Sequence, residues 1–346
     1  MKEGSAYLIT GENDSLKGPG RVMPGFYNRS QKLNRDLTIA FLKALRPSHF
    51  LDAFGATGVR GIRAELEAGV KSTISETNPI SLSIIEKNCE INKISPTIFR
   101  GPFQKAIMDG LYDFIDLDPY GSVVPYLDIA LRQVKRGGFI GVTATDLSSL
   151  TGSVPAKTRR RYWASVCNDR LRHETGVRVL LASIGKRAAA IDRGIFPIIS
   201  FWRGHYYRLI FRVEEGAAKA DRTLQMISTL SKHSTISEIY ADIAEGPLWS
   251  GNIEDKELIP RVSASNILDF KTAEFLSKLP SEDLMVWFYE MADFCHYMKT
   301  SLPPIATVIR TIYDQYGIPA ERTMFSPTGI KLPSRLDIMD VIKSQK

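Results

Sequence analysis

Short apolar runs alternate with stretches of helical period along the first half of the chain. His49-Phe50-Leu51-Asp52-Ala53-Phe54 predicts a buried strand, and Gly55-Ala56-Thr57-Gly58 a tight turn after it. Val59 to Ala68 then reads as a helix with Ile62 and Leu66 on one face. Ser72-Thr73-Ile74-Ser75 predicts a second strand ending at Glu76. Pro79 to Asn92 predicts a helix with Leu82, Ile85 and Cys89 inward, and Thr97-Ile98-Phe99 a third strand. Leu111 to Ile115 predicts a fourth strand and Val123 to Val134 a helix. Gly137-Gly138 turns into a fifth strand, Phe139 to Thr143. Such alternation implies a parallel sheet covered on both faces. A long helix is expected over about Val177 to Arg193, then a hairpin of Pro197 to Phe201 and Tyr206 to Phe211 around Gly204. Glu214 to Ala220 reads as a boundary, giving domains at 1–220 and 221–346. In the second, helices are expected near Lys271–Leu279, Glu282–Lys299 and Pro304–Tyr316.

Composition adds limits. The 346 residues are 44% hydrophobic and 24% charged, ordinary for a soluble chain with sizeable cores. Cys89, Cys167 and Cys295 are too far apart for a CxxC pair, and no Cys/His cluster has metal-ligand spacing. No apolar run approaches the roughly 18 residues of a membrane span, and Met1 to Ser5 open no signal core. A reducing, cytoplasmic setting is expected, with no membrane partner.

Charge changes the picture more. The net charge is +7, but it is unevenly placed. Residues 1–50 hold 8 Lys/Arg and 4 Asp/Glu, residues 51–150 hold 10 and 12, residues 151–220 hold 14 and 5, and residues 221–346 hold 13 and 17. The basic excess of 151–220 includes Lys157, Arg159, Arg160 and Arg161, with Tyr162 and Trp163 immediately after. Cations beside rings suit a polyanion with exposed bases, although a solvated face is the ordinary meaning of such an excess.

Two constellations carry candidate chemistry. In Asp116-Leu117-Asp118-Pro119-Tyr120-Gly121, a carboxylate can accept hydrogen bonds from an exocyclic amine. Proline removes a competing N–H while leaving a carbonyl acceptor, and the ring offers a stacking face. An acidic strand end followed by a turn explains the same residues. Asp52, Gly55, Gly58 and Glu76 form the second constellation. Glycines after a first strand admit a ligand to the backbone, and an acid ending the second strand can bind a ribose diol. A nicotinamide dinucleotide would use the same logic, but the glycines read G-x-x-G-x-x-G rather than G-x-G-x-x-G. For a donor ending in an amino acid, Arg60 and Arg63 are candidate cations; Arg63 reads as part of an exposed helix face.

A parallel sheet closed by an antiparallel hairpin resembles the class I, Rossmann-like methyltransferases that use S-adenosylmethionine. The chain also resembles, over most of its length, the tRNA guanine N2-dimethyltransferase family, which modifies guanine 26. Phe26-Tyr27-Asn28 with Asn34-Arg35-Asp36 is similar to its amino-terminal signature, and Asp52 to Arg63 to its cofactor loop. Asp118-Pro119-Tyr120-Gly121 resembles its catalytic D-P-F-G, with Tyr for Phe. Thr143 to Asp146 with Leu150 to Gly152, Gly176 to Leu181, His205 to Arg208, Gly246 to Gly251, and Arg322-Thr323 with Pro327 to Lys331 resemble further blocks in the family's order.

The resemblance implies an α/β class I methyltransferase domain at 1–220 and a smaller mixed α/β domain at 221–346 that recognises tRNA. It implies methyl transfer from S-adenosylmethionine to N2 of guanine 26, giving N2-methyl- and N2,N2-dimethylguanosine. Arg35, Arg60, Glu76, Pro102 and Phe103 would contact the donor, beside Asp52 and Gly55. Many relatives have an acid and a small residue where this chain has Gly101-Pro102-Phe103-Gln104. Asp118 and the Pro119 carbonyl would orient the amine, while Tyr120 and Phe26 hold the base. Lys157 and Arg159 to Arg161 would contact phosphates. Many members carry a four-cysteine zinc site that is missing here, so no metal is expected and the second domain is expected to rest on apolar packing alone. No oligomer is implied, and a monomer fits. An adenine N6 methyltransferase, a dinucleotide-dependent oxidoreductase and a non-catalytic tRNA-binding module are the competing readings.

Overall fold

Strands buried on both faces need apolar residues at successive positions, and the first half of the chain supplies them. In the computed structural model, which describes residues 1–11, 23–108, 110–232, 234–264, 267–277, 279 and 285–344, seven strands form the main sheet. They are β1 His49–Asp52, β2 Lys71–Glu76, β3 Thr97–Arg100, β4 Tyr112–Leu117, β5 Val134–Ala144, β6 Arg193–Arg203 and β7 Tyr206–Glu215. Their order is β3-β2-β1-β4-β5-β7-β6. The first five are parallel, and β7 enters antiparallel between β5 and β6. This is the expected class I layout with its closing hairpin. Phe50, Leu51, Phe114, Ile115, Ile140, Val142, Leu209 and Phe211 are fully buried in it.

Helices α1 Lys32–Leu45, α2 Val59–Arg63, α3 Pro79–Asn92 and α4 Val124–Gln133 belong to the same unit. α2 continues through a π turn, Ala64–Ala68. Ile62 is buried as expected, but Leu66 is exposed. α3 has its expected bounds, with Asn78 capping it and Pro79 in its first turn. α1 has no counterpart in the sequence reading. Its buried residues run without a break from Leu33 to Leu42 and include Asn34, Arg35, Asp36 and Thr38, so no polar face marks its period.

The chain forms two compact units. One comprises Met1–Asp146, Lys186–Thr223 and Asp255–Leu276; the other comprises Leu147–Gly185, Leu224–Glu254 and Ser277–Lys346. The single boundary expected near 220 is therefore replaced by interleaved segments. Glu214 to Ala220 is the end of β7 and the start of a helix, Ala217–Gln225, held by the Thr223 hydroxyl, which accepts from the backbone N of Ile195 (3.0 Å). Residues 255–276 join the first unit because Leu258, Ile259 and Val262 are buried there and the backbone N of Asp255 donates to the carbonyl of Ile198 (3.0 Å).

The second unit contains helix α5 Pro155–Tyr162 and two small antiparallel sheets. The long helix α6 spans Arg172–Ala189, beginning and ending earlier than expected, and the division between units falls within it. Ile305–Tyr316 stands near one helix expected here, and Phe270–Ser277, all but its last residue in the first unit, near another. Of Glu282–Lys299, residues 282–284 lie outside the described residues, Tyr289–Glu290 is a strand, and only Met291–Tyr297 is helical. Packing here is not apolar alone. Glu174, fully buried, accepts from Arg178 Nε (2.9 Å) and Lys331 Nζ (2.6 Å), both buried. Arg178 also donates to the carbonyls of Trp249 and Gly251.

Candidate active site

The carboxyl ends of β1, β2 and β4 open onto one cavity of about 620 Å³, a size suited to a small-molecule ligand. All its lining residues belong to the first unit. They include every expected donor contact, Arg35, Asp52, Gly55, Arg60, Glu76, Pro102 and Phe103, and also Phe26, Asp118, Pro119 and Tyr120.

Backbone geometry explains how the acids arrive. Asp52 and Asp116 are ladder partners on β1 and β4, and Asp118 follows β4 directly. Past Pro119 the chain turns at Gly121, whose φ is +80°, and Gly121 N donates to the Thr145 hydroxyl (2.8 Å). The Glu76 carboxylate accepts from the backbone N–H groups of Ala56, Thr77 and Asn78, each at 2.8 Å, which fixes it between the turn after β1 and the entry to α3. Gly55, which lines the cavity, is also constrained by packing. A Cβ there would meet Ile74 Cγ2 at 2.6 Å, so its missing side chain lets the turn close on β2.

The charges are arranged around Arg60. It donates through Nη1 to Asp116 and through Nη2 to Asp118 Oδ2 (2.6 Å). Burial works against its charge, but Asp116 and then Asp118 raise its pKa above the ordinary arginine value. Arg208 of β7, also fully buried, holds both oxygens of Asp116 (2.5 and 3.1 Å), with Thr38 hydrogen-bonded to both partners. Burial would raise the pKa of Asp116; Arg208 and Arg60 bring it below the usual carboxylate range. Asp116 is thus a structural anion, and Asp118 keeps Oδ1 without a partner among the described residues. Among the described residues Asp52 accepts one backbone bond, from Gly61 N at 3.2 Å. Burial pushes it up to about 7, Arg60 working the other way.

Two groups of rings flank these charges. Phe26 and Tyr120 have centroids 5.3 Å apart at 58°, and Tyr120 is half exposed. Phe54, Phe103 and Tyr126 contact one another at 5.1 to 5.7 Å. Thr57 lines the same cavity with a buried hydroxyl that has no partner among the described residues. Apolar rings, an acid fixed at a strand end, an unmatched hydroxyl and the guanidinium of Arg35 fit an adenosyl amino acid.

Several residues here had no role in the sequence reading. Arg208 interrupts an apolar strand, a signal of a buried ion pair. His205 lines the cavity 3.3 Å from Ser30 Oγ, and burial lowers its pKa. Arg63 is not on an exposed face: it is 1% exposed and donates to Glu3, Asp36 and Glu67. Lys157 and Arg159 to Arg161 lie on α5 of the second unit, outside the cavity lining. Arg159 and Arg160 are exposed, Lys157 and Arg161 half-buried, Tyr162 buried and Trp163 exposed. Among the described residues no group of three His, Cys, Asp or Glu side chains is placed to hold a metal ion.

A family model described as N2,N2-dimethylguanosine tRNA methyltransferase matches residues 10–343. A tRNA (guanine(26)-N(2))-dimethyltransferase of Thermoplasma acidophilum is 45% identical over 340 residues, 98% of this chain and 96% of that protein. One of Metallosphaera sedula is 33% identical, over 95% of this chain and 92% of that protein. The solved structure of Trm1 from Pyrococcus horikoshii with S-adenosyl-L-methionine is similar at a TM-score of 0.87 and 29% identity, covering 99% of this chain and 98% of that one.

Proposed function

We propose a division of roles within the cavity for this chain, which belongs to the N2,N2-dimethylguanosine tRNA methyltransferase family. The chain is an S-adenosylmethionine-dependent tRNA methyltransferase that acts on N2 of guanine 26, giving N2-methyl- and N2,N2-dimethylguanosine. The observation that carries the residue roles is that Asp118, Pro119 and Tyr120 share one cavity with Arg35, Asp52, Glu76 and Phe103.

S-adenosylmethionine, when bound, supplies an electrophilic methyl on a sulfonium. Glu76 would take the ribose hydroxyls, Asp52 and Arg35 the amino-acid end, and Pro102, Phe103, Phe54 and Tyr126 the adenine face. Arg60 holds Asp118 by Oδ2 and so turns Oδ1 into a fixed acceptor for one N2–H of guanine. The Pro119 carbonyl accepts the other. Two acceptors would orient the nitrogen lone pair and stabilise the positive charge that grows on nitrogen as the N–C bond forms and the methyl–sulfur bond breaks, its electron pair staying with the thioether of S-adenosylhomocysteine. The proton then released passes to Asp118 or solvent. Phe26 and Tyr120 enclose the base, which must leave the tRNA stack at a cost of a few kcal/mol. Lys157 and Arg159 to Arg161 would contact tRNA phosphates, giving the second unit a part in recognition. A tRNA substrate places the enzyme in the cytoplasm in this reading.

The test is one assay with labelled donor on unmodified tRNA, with the product nucleoside mapped. Wild type should modify guanine 26. Asp118→Ala should lose at least a hundredfold in rate, in line with removal of an electrostatic or acid–base group, while binding of S-adenosylhomocysteine persists. Near wild-type turnover in that variant would remove Asp118 from the mechanism.

A further inference from the structure

Arg35, Arg60 and Arg63 are the arginines considered for the donor's amino-acid end, and their partners distinguish them. Arg60 is held by Asp116 and Asp118 through both Nη atoms. Arg63 is held by Glu3, Asp36 and Glu67, and does not line the cavity. Arg35 lines it. Its Nε donates to Glu3 Oε1 (2.8 Å), and its Nη2 to Glu3 Oε2 (2.5 Å) and to the Asn28 carbonyl (3.1 Å). Nη1 has no partner among the described residues, and it carries two of the five donors of the guanidinium. One edge of Arg35 is clamped side-on by a carboxylate, Nη2 is also taken by the Asn28 carbonyl, and Nη1 alone is open.

The clamp comes from a segment outside the range matched by the family model, which begins at residue 10. Glu3 is 2% exposed. It sits on a short antiparallel pair, Lys2–Glu3 with Ala6–Tyr7. That pair is docked on α3 by two asparagines one turn apart. Asn92 exchanges hydrogen bonds with the backbone N and carbonyl of Tyr7, and Asn88 with those of Ile9. Asn88 also donates to the carbonyl of Thr57 in the turn after β1 (2.9 Å). Gly4, with φ at +55°, lets the chain pass Glu67, whose Oε1 would lie 2.2 Å from a Cβ. Tyr27, next to Phe26, donates its hydroxyl to Glu3 Oε2 and places its ring 4.7 Å from the Arg35 guanidinium carbon.

We propose that Glu3 is a positioning residue for the methyl donor: it fixes Arg35 so that the free Nη1 of the guanidinium receives the carboxylate of the donor's amino-acid end. The inference rests on the assignment of Arg35 to the donor. A long arginine side chain ordered before binding loses less entropy on binding. Its buried charge is balanced by Glu3 while Nη1 stays free to donate. Burial alone would raise the pKa of Glu3, but Arg35 and then Arg63 bring it down to about 2, so the clamp is ionised across the working range.

The experiment is calorimetry on the full chain with two ligands: S-adenosylhomocysteine, which has the amino-acid end, and methylthioadenosine, which lacks it. Glu3→Gln should weaken S-adenosylhomocysteine by about three- to tenfold, the range for one side chain left unordered, and leave methylthioadenosine unchanged. In an Arg35→Ala background, Glu3→Gln should add less than about twofold. Gly4→Ala, which keeps the carboxylate but displaces its backbone, should show the same ligand selectivity and serves if Glu3→Gln does not fold. Equal weakening of both ligands, or unchanged S-adenosylhomocysteine affinity in Glu3→Gln when Arg35→Ala weakens it, overturns the role of Glu3. Unchanged affinity in Arg35→Ala overturns the Arg35 assignment itself.

Discussion

Asp52 is a carboxyl group in a place that disfavours its charge. It is 3% exposed, and burial brings its pKa to about 7 from an ordinary 3.8. A carboxyl raised on folding contributes its full stability below its unfolded pKa, and that contribution is lost as pH rises through about 7. Asp52→Asn should therefore stabilise the ligand-free enzyme at pH 8 by roughly 1–3 kcal/mol, seen as a higher melting temperature. It should change little at pH 4, and should weaken S-adenosylhomocysteine at both. Melts that shift equally at the two pH values would contradict the burial argument. The base-stacking role proposed for Tyr120 makes a separate prediction. Tyr120→Phe keeps the ring and restores the usual family residue, so kcat/KM should stay within about threefold. Tyr120→Ala should lose roughly ten- to a hundredfold, the scale of one stacked base. Asp118, Glu76 and Tyr120 were legible in sequence because strand ends and motifs are local. Glu3 and Arg63 were not, because a buried pair sixty residues apart leaves no local mark.

At the scale of elements, the main sheet was legible because apolar runs separated by turns have one reading, whereas α1 was hidden by burial all round. Its polar residues serve the sheet: Thr38 bonds Asp116 and Arg208, and Asn34 bonds Thr143 on β5. The closing hairpin thereby becomes part of the site, because Arg208 on β7 reaches across β5 to Asp116 on β4. Gly141 of β5 lies under that crossing, where a Cβ would stand 2.7 Å from Arg208 Nη2 and 2.8 Å from Asp116 Oδ2. Gly141→Ala should push the pair apart and destabilise the fold by about 1–3 kcal/mol, the usual scale of overpacking. It should also slow methyl transfer, since Asp116 and Asp118 share Arg60. Chemical denaturation combined with single-turnover kinetics would check both effects. A stable variant with normal turnover would show that the hairpin pair does not support Asp118.

For the whole molecule, the interleaving of the two units changes what the charge distribution means. The basic stretch reads in sequence as the tail of a first domain, but residues 147–185 belong to the second unit, where they hold 7 Lys/Arg against 2 Asp/Glu. Residues 224–254 of that unit hold 1 against 4, so its positive charge is concentrated around α5. Sequence could not place this patch, because the boundary at 185 falls inside a continuous helix rather than in a linker. Exposure then ranks the cations. Arg159 and Arg160 are exposed, while Arg161 is half-buried and has a partner within the protein. Each phosphate contact contributes roughly 0.7–0.9 to the slope of log K against log salt. Replacing Arg159 and Arg160 by Ala should weaken tRNA binding and flatten that slope by about 1.4–1.8, and adding Arg161→Ala should flatten it little further. Affinity for S-adenosylhomocysteine should not change, because these side chains do not line the cavity. Equilibrium binding of tRNA between low and moderate salt measures the slope directly, and a slope equal to that of wild type would mean that α5 does not meet the phosphate backbone.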